Sequence, residues 1–286
     1  MEGMLKMKNM KCCLCLAIVL AAMMSACCTI PKDQISYETL NSVLWMQTSA
    51  EYTMMTTQAY QRARMSVEKA LADPAWTAAI EQIDMNYRGM QPAIIVDIDE
   101  TVLDTTAFQA ELTRYGRRFT PALWDEWTRT ASAGRVPGAL AFLKWAAEEK
   151  GITIFYITNR DVSVEPWTMK NLEEQGFPVA KGMESIFSKG ECGDISSDKS
   201  GRRRHVCLGY RILVLAGDNL GDFISSAKDT PENRIKAAET YASYWAEKWI
   251  LLPNPAYGSW EGALFDYDTA LTGPQILKRK IDGLRY

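Results

Sequence analysis

The sequence predicts an α/β chain organised around a doubly wound parallel sheet. Three short apolar runs rich in β-branched residues, 93–96, 152–157 and 212–216, are separated by segments of helical spacing, the alternation that builds a parallel sheet with helices on both faces. The first run ends directly on Asp97, the third reaches Asp218 through one glycine, and the second ends on Thr158-Asn159-Arg160. Polar residues gather at the carboxyl ends of such strands because ligands bind there.

The amino terminus is an address. Lys6, Lys8 and Lys11 precede an almost wholly apolar stretch over 12–24, and small residues follow, which is the layout of a secretory signal peptide. The stretch falls short of the roughly 20 apolar residues a membrane span requires. Met24-Ser25-Ala26-Cys27 resembles a bacterial lipobox, which predicts a leader over 1–26 and a lipid on Cys27; an ordinary signal peptide before a free cysteine is the alternative. Either way the mature chain, 27–286, is expected outside the cytoplasm as one domain.

From Ser36 to Asp73 there is no glycine or proline, and Leu40, Val43, Leu44, Tyr52, Met55, Ala59, Val67 and Leu71 recur at helical spacing, predicting one long helix or two. Pro74 permits a second helix to about Tyr87, which Gly89 ends. The first strand follows, then a polar, aromatic-rich stretch over 105–134, a helix over 137–150, the second strand, and a helix to about Gln175. Residues 182–204, rich in glycine, serine and charge, read as a loop. After the third strand come a helix from Glu232 to about Glu247, a short strand over 249–252 and a helix over 273–283. The mature chain thus divides into a helical part over 27–90, a core over 91–262 and a helical tail over 263–286.

With 286 residues, 47% hydrophobic and 23% charged, the chain can bury a large core. Removing the three lysines and one glutamate of the leader from 32 basic and 35 acidic residues leaves a net charge of −5, which argues against a nucleic-acid partner. The single histidine, His205, follows Arg202-Arg203-Arg204. One histidine leaves no room for histidine-rich metal or haem sites, and this setting is a poor one for a catalytic triad; the arginine run itself reads as a solvated face, with assistance in phosphate binding as the alternative. Beyond the leader and Cys27-Cys28 only Cys192 and Cys207 remain of seven cysteines, and in a disulfide-permissive compartment they either pair or stay as two thiols.

The chemistry sits in aspartates. In Asp97-Ile98-Asp99 the intervening residue points away, so both carboxylates can face one cleft, one as nucleophile and the other as proton donor and acceptor. Asp218 and Asp222 form a second pair after another strand. Four carboxylates on one strand-end edge repel unless a divalent cation stands among them, and an all-oxygen set selects a hard ion such as magnesium. Magnesium in turn favours phosphate oxygens.

The strings Asp97-Ile98-Asp99-Glu100-Thr101-Val102-Leu103-Asp104, Ile157-Thr158-Asn159-Arg160 and Leu215-Ala216-Gly217-Asp218-Asn219-Leu220-Gly221-Asp222-Phe223 resemble the signature of class C bacterial acid phosphatases, lipoproteins of the haloacid dehalogenase superfamily. The likeness extends to Arg135-Val136-Pro137-Gly138-Ala139 and to 252–261, so it spans about 90–262. It implies a haloacid dehalogenase-like Rossmannoid core with a helical cap drawn from the N-terminal, 105–135 and C-terminal segments. It implies hydrolysis of phosphate monoesters, nucleoside monophosphates among them, in the bacterial cell envelope, lipid-anchored at the outer membrane or periplasmic face. Asp97 would attack phosphorus to form an aspartyl phosphate, and Asp99 would protonate the leaving oxygen and then deprotonate water. Magnesium would be held by Asp97, the Asp99 main-chain carbonyl and Asp218, with Asp222 nearby. Thr158 and Asn159 would contact the phosphoryl group, as would a lysine, assigned to Lys199 with Lys189 as the alternative. Trp124 and Tyr257 would sandwich the ring of a nucleotide, and Phe108 stands where the family usually has tyrosine. An acid at Asp99 must start protonated, which predicts an acidic optimum. A phosphotransferase using the same site and a non-catalytic surface lipoprotein are the rival readings, and a homodimer is an open expectation.

Overall fold

The structure, a computed structural model, describes residues 38–193, 196–225 and 227–286; the leader and Cys27 lie outside the described residues. In chain order the strands are β1 (Gln91–Val96), β2 (Leu103–Asp104), β3 (Gly134–Arg135), β4 (Thr153–Asp161), β5 (Ile186–Lys189), β6 (Tyr210–Gly217) and β7 (Trp249–Leu251). Five of them form one parallel sheet in the order β5-β4-β1-β6-β7, while β2 and β3 make a small antiparallel pair. The three predicted strands are its centre, with β1 between β4 and β6.

Period-two alternation sends β1 into two cores. Ile94 and Val96 pack with Ala63 and Val67 on one face, and Ala93 and Ile95 with Val206 and Trp249 on the other. Cys207 is a free, buried thiol in the second core, and burial pushes its pKa up to about 12. A bulge sets the β1–β6 register: Ala93 faces Ile212 and Ile94 faces Val214, so Leu213 is the extra residue and joins the first core.

The helices are α1 (Leu40–Thr48), α2 (Ala50–Ala72), α3 (Thr106–Arg114), α4 (Pro121–Thr128), α5 (Ala139–Lys144), α6 (Glu165–Glu174), α7 (Ser200–Cys207), α8 (Pro231–Thr240), α9 (Ser259–Gly262) and α10 (Gly273–Asp282). The glycine-free run is two helices because Ser49 is extended between them and its hydroxyl accepts the Tyr52 N–H, serine's preferred use at a helix start. Three distant segments meet as a cover over the strand ends. Thr39 bonds Thr113 at 2.8 Å, Gln47 donates to Thr106 at 3.2 Å, and Lys280 of α10 pairs with both Glu38 and Glu261.

Three expectations need correction. Residues 75–87 are not a helix but carry a single 3-10 turn, Ile80–Gln82. Buried Gln82 accepts from Thr77 (2.7 Å) and the Ile212 N–H (3.1 Å) and donates to the carbonyls of Cys207 (3.1 Å) and Tyr210 (2.6 Å). This segment serves the stretch of β6 that β7 does not reach, and those tertiary hydrogen bonds override helical propensity. The region read as a loop over 182–204 contains β5 and the start of α7. Finally, α8 ends at Thr240, after which Tyr241, Tyr244 and Trp245 pack their rings around Trp249.

Gln82→Leu should lower stability by about 2 to 4 kcal/mol, because it strands two buried carbonyls and an N–H, as read from urea denaturation; a change below about 0.5 kcal/mol, the range of ordinary surface substitutions, would contradict this account.

Candidate active site

β1 delivers Asp97, whose N–H donates to the Ala216 carbonyl at 2.9 Å. The chain then folds back on itself. Val102 and Leu103 both donate to the Ile98 carbonyl at 2.8 and 2.9 Å, and Glu100 takes the left-handed conformation at φ 55°. Ile98 turns into the core, while Asp97 and Asp99 line one cavity of about 580 Å³. β6 delivers Asp218, held by Asn254 Nδ2 at 2.7 Å. The following turn, Leu220–Asp222, is closed by the Asn219 N–H donating to Asp222 Oδ2 at 2.9 Å. Gly217 makes that approach possible, since a Cβ there would overlap the Asp222 side chain.

The outcome is a convergence of charge. Carboxylate oxygens of Asp97, Asp218 and Asp222 lie within 4.8 Å of one another. Lys199, nearly fully buried, donates to Asp222 Oδ1 at 2.7 Å and to Asp97 Oδ1. Lys189 instead ends β5, in register with Asp161, and is not among the cavity-lining residues. Burial pushes the Asp97 carboxyl up to about 7, with Asp222 and Asp99 adding to the rise and Lys199 opposing it. Asp218 is pushed well above the usual carboxylate range by burial and by its neighbours Asp222 and Asp97. Burial acts to lower the Lys199 pKa, but Asp222 and Asp97 outweigh it and the net shift is upward, so the ammonium persists. One ammonium cannot balance three carboxylates. The donor set is all oxygen, and the repulsion recorded in the raised carboxyls is what a hard divalent cation would relieve; the group therefore fits such an ion.

The remaining predicted residues divide. Asn159 lines the cavity, its Oδ1 accepting from Arg202 at 2.8 Å and its Nδ2 donating to the Ser197 carbonyl at 3.1 Å. Thr158 is fully buried beneath it, outside the cavity lining, with its hydroxyl accepting the Arg160 N–H at 3.0 Å. Trp124 lines the cavity half-buried and stacks on Trp127 at 5.4 Å and 20°. Tyr257 lines the opposite part and donates to Glu100 Oε2. Phe108 is buried behind Trp124 in an edge contact of 5.1 Å, so it supports the wall without forming it.

Four functional residues escaped sequence reasoning. Arg160, the last residue of the string Ile157-Thr158-Asn159-Arg160, is buried in a forked ion pair with Asp99. Glu100, fully buried, accepts from the Thr105 N–H and hydroxyl as well as from Tyr257. The arginine run is not a solvated face: Arg202 and Arg203 are fully buried. Arg202 donates to the Thr158 carbonyl, Asn159 and the Asp198 carbonyl, and Arg203 to Glu81 and the carbonyls of Gly221 and Asp222. Only Arg204 of the three is exposed. No local pattern marks Arg202 and Arg203, since their partners, Glu81 and the carbonyls of Thr158, Gly221 and Asp222, lie far away in sequence.

Comparison with known proteins agrees with this geometry. Residues 2–260 match the family described as HAD superfamily, subfamily IIIB (acid phosphatase). The structure of the class C acid phosphatase from Bacillus anthracis is similar at 33% identity and a TM-score of 0.77, covering 88% of this chain and 98% of that one. The same enzyme with tungstate bound is similar at 33% identity and a TM-score of 0.76, covering 90% and 98%.

Asp97 titrates at about 7 when folded against an ordinary value of 3.8, so between those values the folded chain holds the extra proton. Its stability without metal therefore falls as pH rises through that window. Urea midpoints of the cation-free chain should decline from about pH 4 to pH 7 on this account, with added divalent cation restoring stability most at the upper end; a midpoint indifferent to cation would contradict it.

Proposed function

Since the chain belongs to subfamily IIIB of the HAD superfamily, the acid phosphatases, and so hydrolyses phosphate monoesters, we propose that Asp97 is its nucleophile, Asp99 its proton donor and acceptor, and nucleoside monophosphates its substrates. The observation that carries this reading is the gathering of Asp97, Asp218, Asp222 and Lys199 at the inner end of one cavity, with Asp99 beside them.

In the first step an Asp97 oxygen bonds to phosphorus as the P–O bond to the leaving alcohol breaks. The electron pair stays on the alcohol oxygen, which takes a proton from Asp99. In the second step the Asp99 carboxylate takes a proton from water as the water oxygen bonds to phosphorus. The bond to Asp97 then breaks and phosphate is released. Dividing one difficult displacement into two easier ones is the gain. Lys199 neutralises part of the negative charge shared by Asp97 and the incoming ester, and Asn159 at the cavity surface contacts the phosphoryl oxygens. A divalent cation, magnesium in this reading, would be held by Asp97, Asp218 and the Asp99 main-chain carbonyl with Asp222 adjacent, and would stabilise charge on the transferring group. The tungstate in the related enzyme, an oxyanion like phosphate, supports an oxyanion site on this fold. Thr158, buried under Asn159, supports the strand end from behind.

The walls support the nucleotide reading. Trp124 and Tyr257 present aromatic surface in a cavity large enough for a small ligand, and stacking a base on such a ring is worth about 1 to 3 kcal/mol. The leader and Cys27 favour a lipid-anchored enzyme of the bacterial envelope; among the described residues no helix is long and apolar enough to cross a membrane.

Asp97→Asn should abolish turnover of a chromogenic phosphate ester and of nucleoside monophosphates, and chelator should silence the native chain until magnesium is returned. Retention of most activity by the variant with magnesium present would refute the nucleophile assignment. Cys27→Ser should move the full-length chain from the membrane pellet to the soluble fraction; a variant that still sediments with membranes would exclude the lipid anchor.

A further inference from the structure

Arg160 is 1% exposed, and each of its guanidinium nitrogens has a partner. Nε donates to Asp99 Oδ1 at 3.0 Å and Oδ2 at 3.2 Å, and Nη2 to Oδ1 at 2.7 Å. Nη1 reaches the Thr168 hydroxyl at 3.3 Å, and that hydroxyl donates to the Val164 carbonyl at 3.2 Å. The guanidinium also lies 5.4 Å from the centre of the Trp124 ring. Its own N–H is tied to Thr158 at 3.0 Å. A side chain fastened at the backbone, both ends of its fork and one flat side has no freedom left to follow a substrate.

The pairing is unequal in a useful way. Oδ1 of Asp99 takes the two shorter bonds, whereas Oδ2 takes only the longest, shared with Oδ1. Asp99 is itself 17% exposed toward the cavity. Without Arg160 its carboxylate would turn about its own side-chain bonds. With it, Oδ1 is occupied and Oδ2 is the oxygen left to carry a proton.

We propose that Arg160 is the positioning residue for proton transfer, holding the Asp99 carboxylate so that Oδ2 faces the leaving oxygen of the ester. The proposal rests on the reading of Asp99 as the proton donor. Arg160 lines the cavity, but its Nε–Nη2 edge is given to Asp99, and the proposal assigns it no contact with phosphate. Through the same guanidinium the acid is braced against Trp124, so the aromatic wall and the proton donor move as one unit. A planar, always-charged fork is required for this, and lysine cannot supply it.

Leaving groups separate this role from a structural one. 2,4-Dinitrophenolate departs without needing a proton, whereas the alkoxide from glycerol 2-phosphate needs one. Arg160→Met should lower kcat/KM, which reports the step that expels the alcohol and not the later hydrolysis common to both esters, by about 10- to 100-fold on glycerol 2-phosphate, the scale of a misplaced catalytic group, while changing kcat/KM on 2,4-dinitrophenyl phosphate by less than about threefold. Inhibition by inorganic phosphate should stay as in the native enzyme. Asp99→Asn should show the same asymmetry more strongly, and the double variant should be no worse than Asp99→Asn alone. Arg160→Lys, which keeps the charge but not the fork, should lie between native and Arg160→Met, and it carries the test if the methionine variant fails to fold on thermal melting. Equal losses on both esters, additive losses in the double variant, or effects confined to phosphate inhibition would overturn the proposal, the last by making Arg160 a phosphate ligand. If Asp99→Asn is selective and Arg160→Met is not, the positioning role alone fails. If Asp99→Asn is itself indifferent to the leaving group, the proton-donor reading fails and the proposal falls with it.

Discussion

Like charges brought together out of water are the constraint on which this molecule turns. Asp97 and Asp218 sit where burial and the neighbouring carboxylates disfavour their charged forms, and a single ammonium, Lys199, stands between Asp97 and Asp222. A buried cluster of this kind is costly unless its members are paired and hydrogen-bonded, and the surrounding architecture supplies partners in quantity. Asn254 bonds Asp218, Asn219 closes the turn onto Asp222, and Arg160 pairs with Asp99. Arg202 and Arg203 then fasten the loops that carry these groups, one to the end of β4 and the other to the turn after β6. Lys199, Arg160, Arg202 and Arg203 are thus buried ties, each holding a carboxylate or a carbonyl of the segments that form the site.

The same constraint explains which parts of the molecule were legible in its sequence. β1, β4 and β6 are buried on both faces and read as continuous apolar runs, so their existence, their parallel pairing and the aspartates at their ends follow from composition alone. Arg202 and Arg203 looked like surface because a run of arginines in a chain normally is one; their burial depends on Glu81 and on carbonyls far away in sequence. β5 was hidden for a different reason. It is a four-residue edge strand, too short for any periodicity to declare itself. The turn at Ile80–Gln82 defeated helix propensity because Gln82 serves three backbone groups far away in the chain, besides the nearby Thr77 hydroxyl. The position of Lys199 beside the carboxylates was reachable only through the resemblance to the acid phosphatases, which left Lys189 as the alternative. The fork between Arg160 and Asp99 was not, since no local pattern records which carboxylate an arginine will meet.

The cover over the strand ends is assembled on the same plan of remote ties. Its walls come from three places, and the joints are polar: Thr39 with Thr113, Gln47 with Thr106, and Lys280 with Glu38 and Glu261. Its inner surface is aromatic, with Phe108, Phe119, Trp124 and Trp127 packed against one another. Glu100 and Arg160 join that surface to the catalytic turn, the one through Tyr257 and the other through Trp124. The aromatic surface and the catalytic turn are therefore joined through two buried charged side chains.

The register between β1 and β6 carries one more consequence. Val96 lies opposite Ala216, and everything between them in the chain must be laid down before Asp97 and Asp218 can meet. Contacts so distant in sequence form late and slowly in folding. A nascent chain that ends before β6 holds Asp97 but lacks Asp218 and Asp222, and so has no site. Hydrolytic activity on phosphate esters is thus withheld by topology until β1 and β6 have paired.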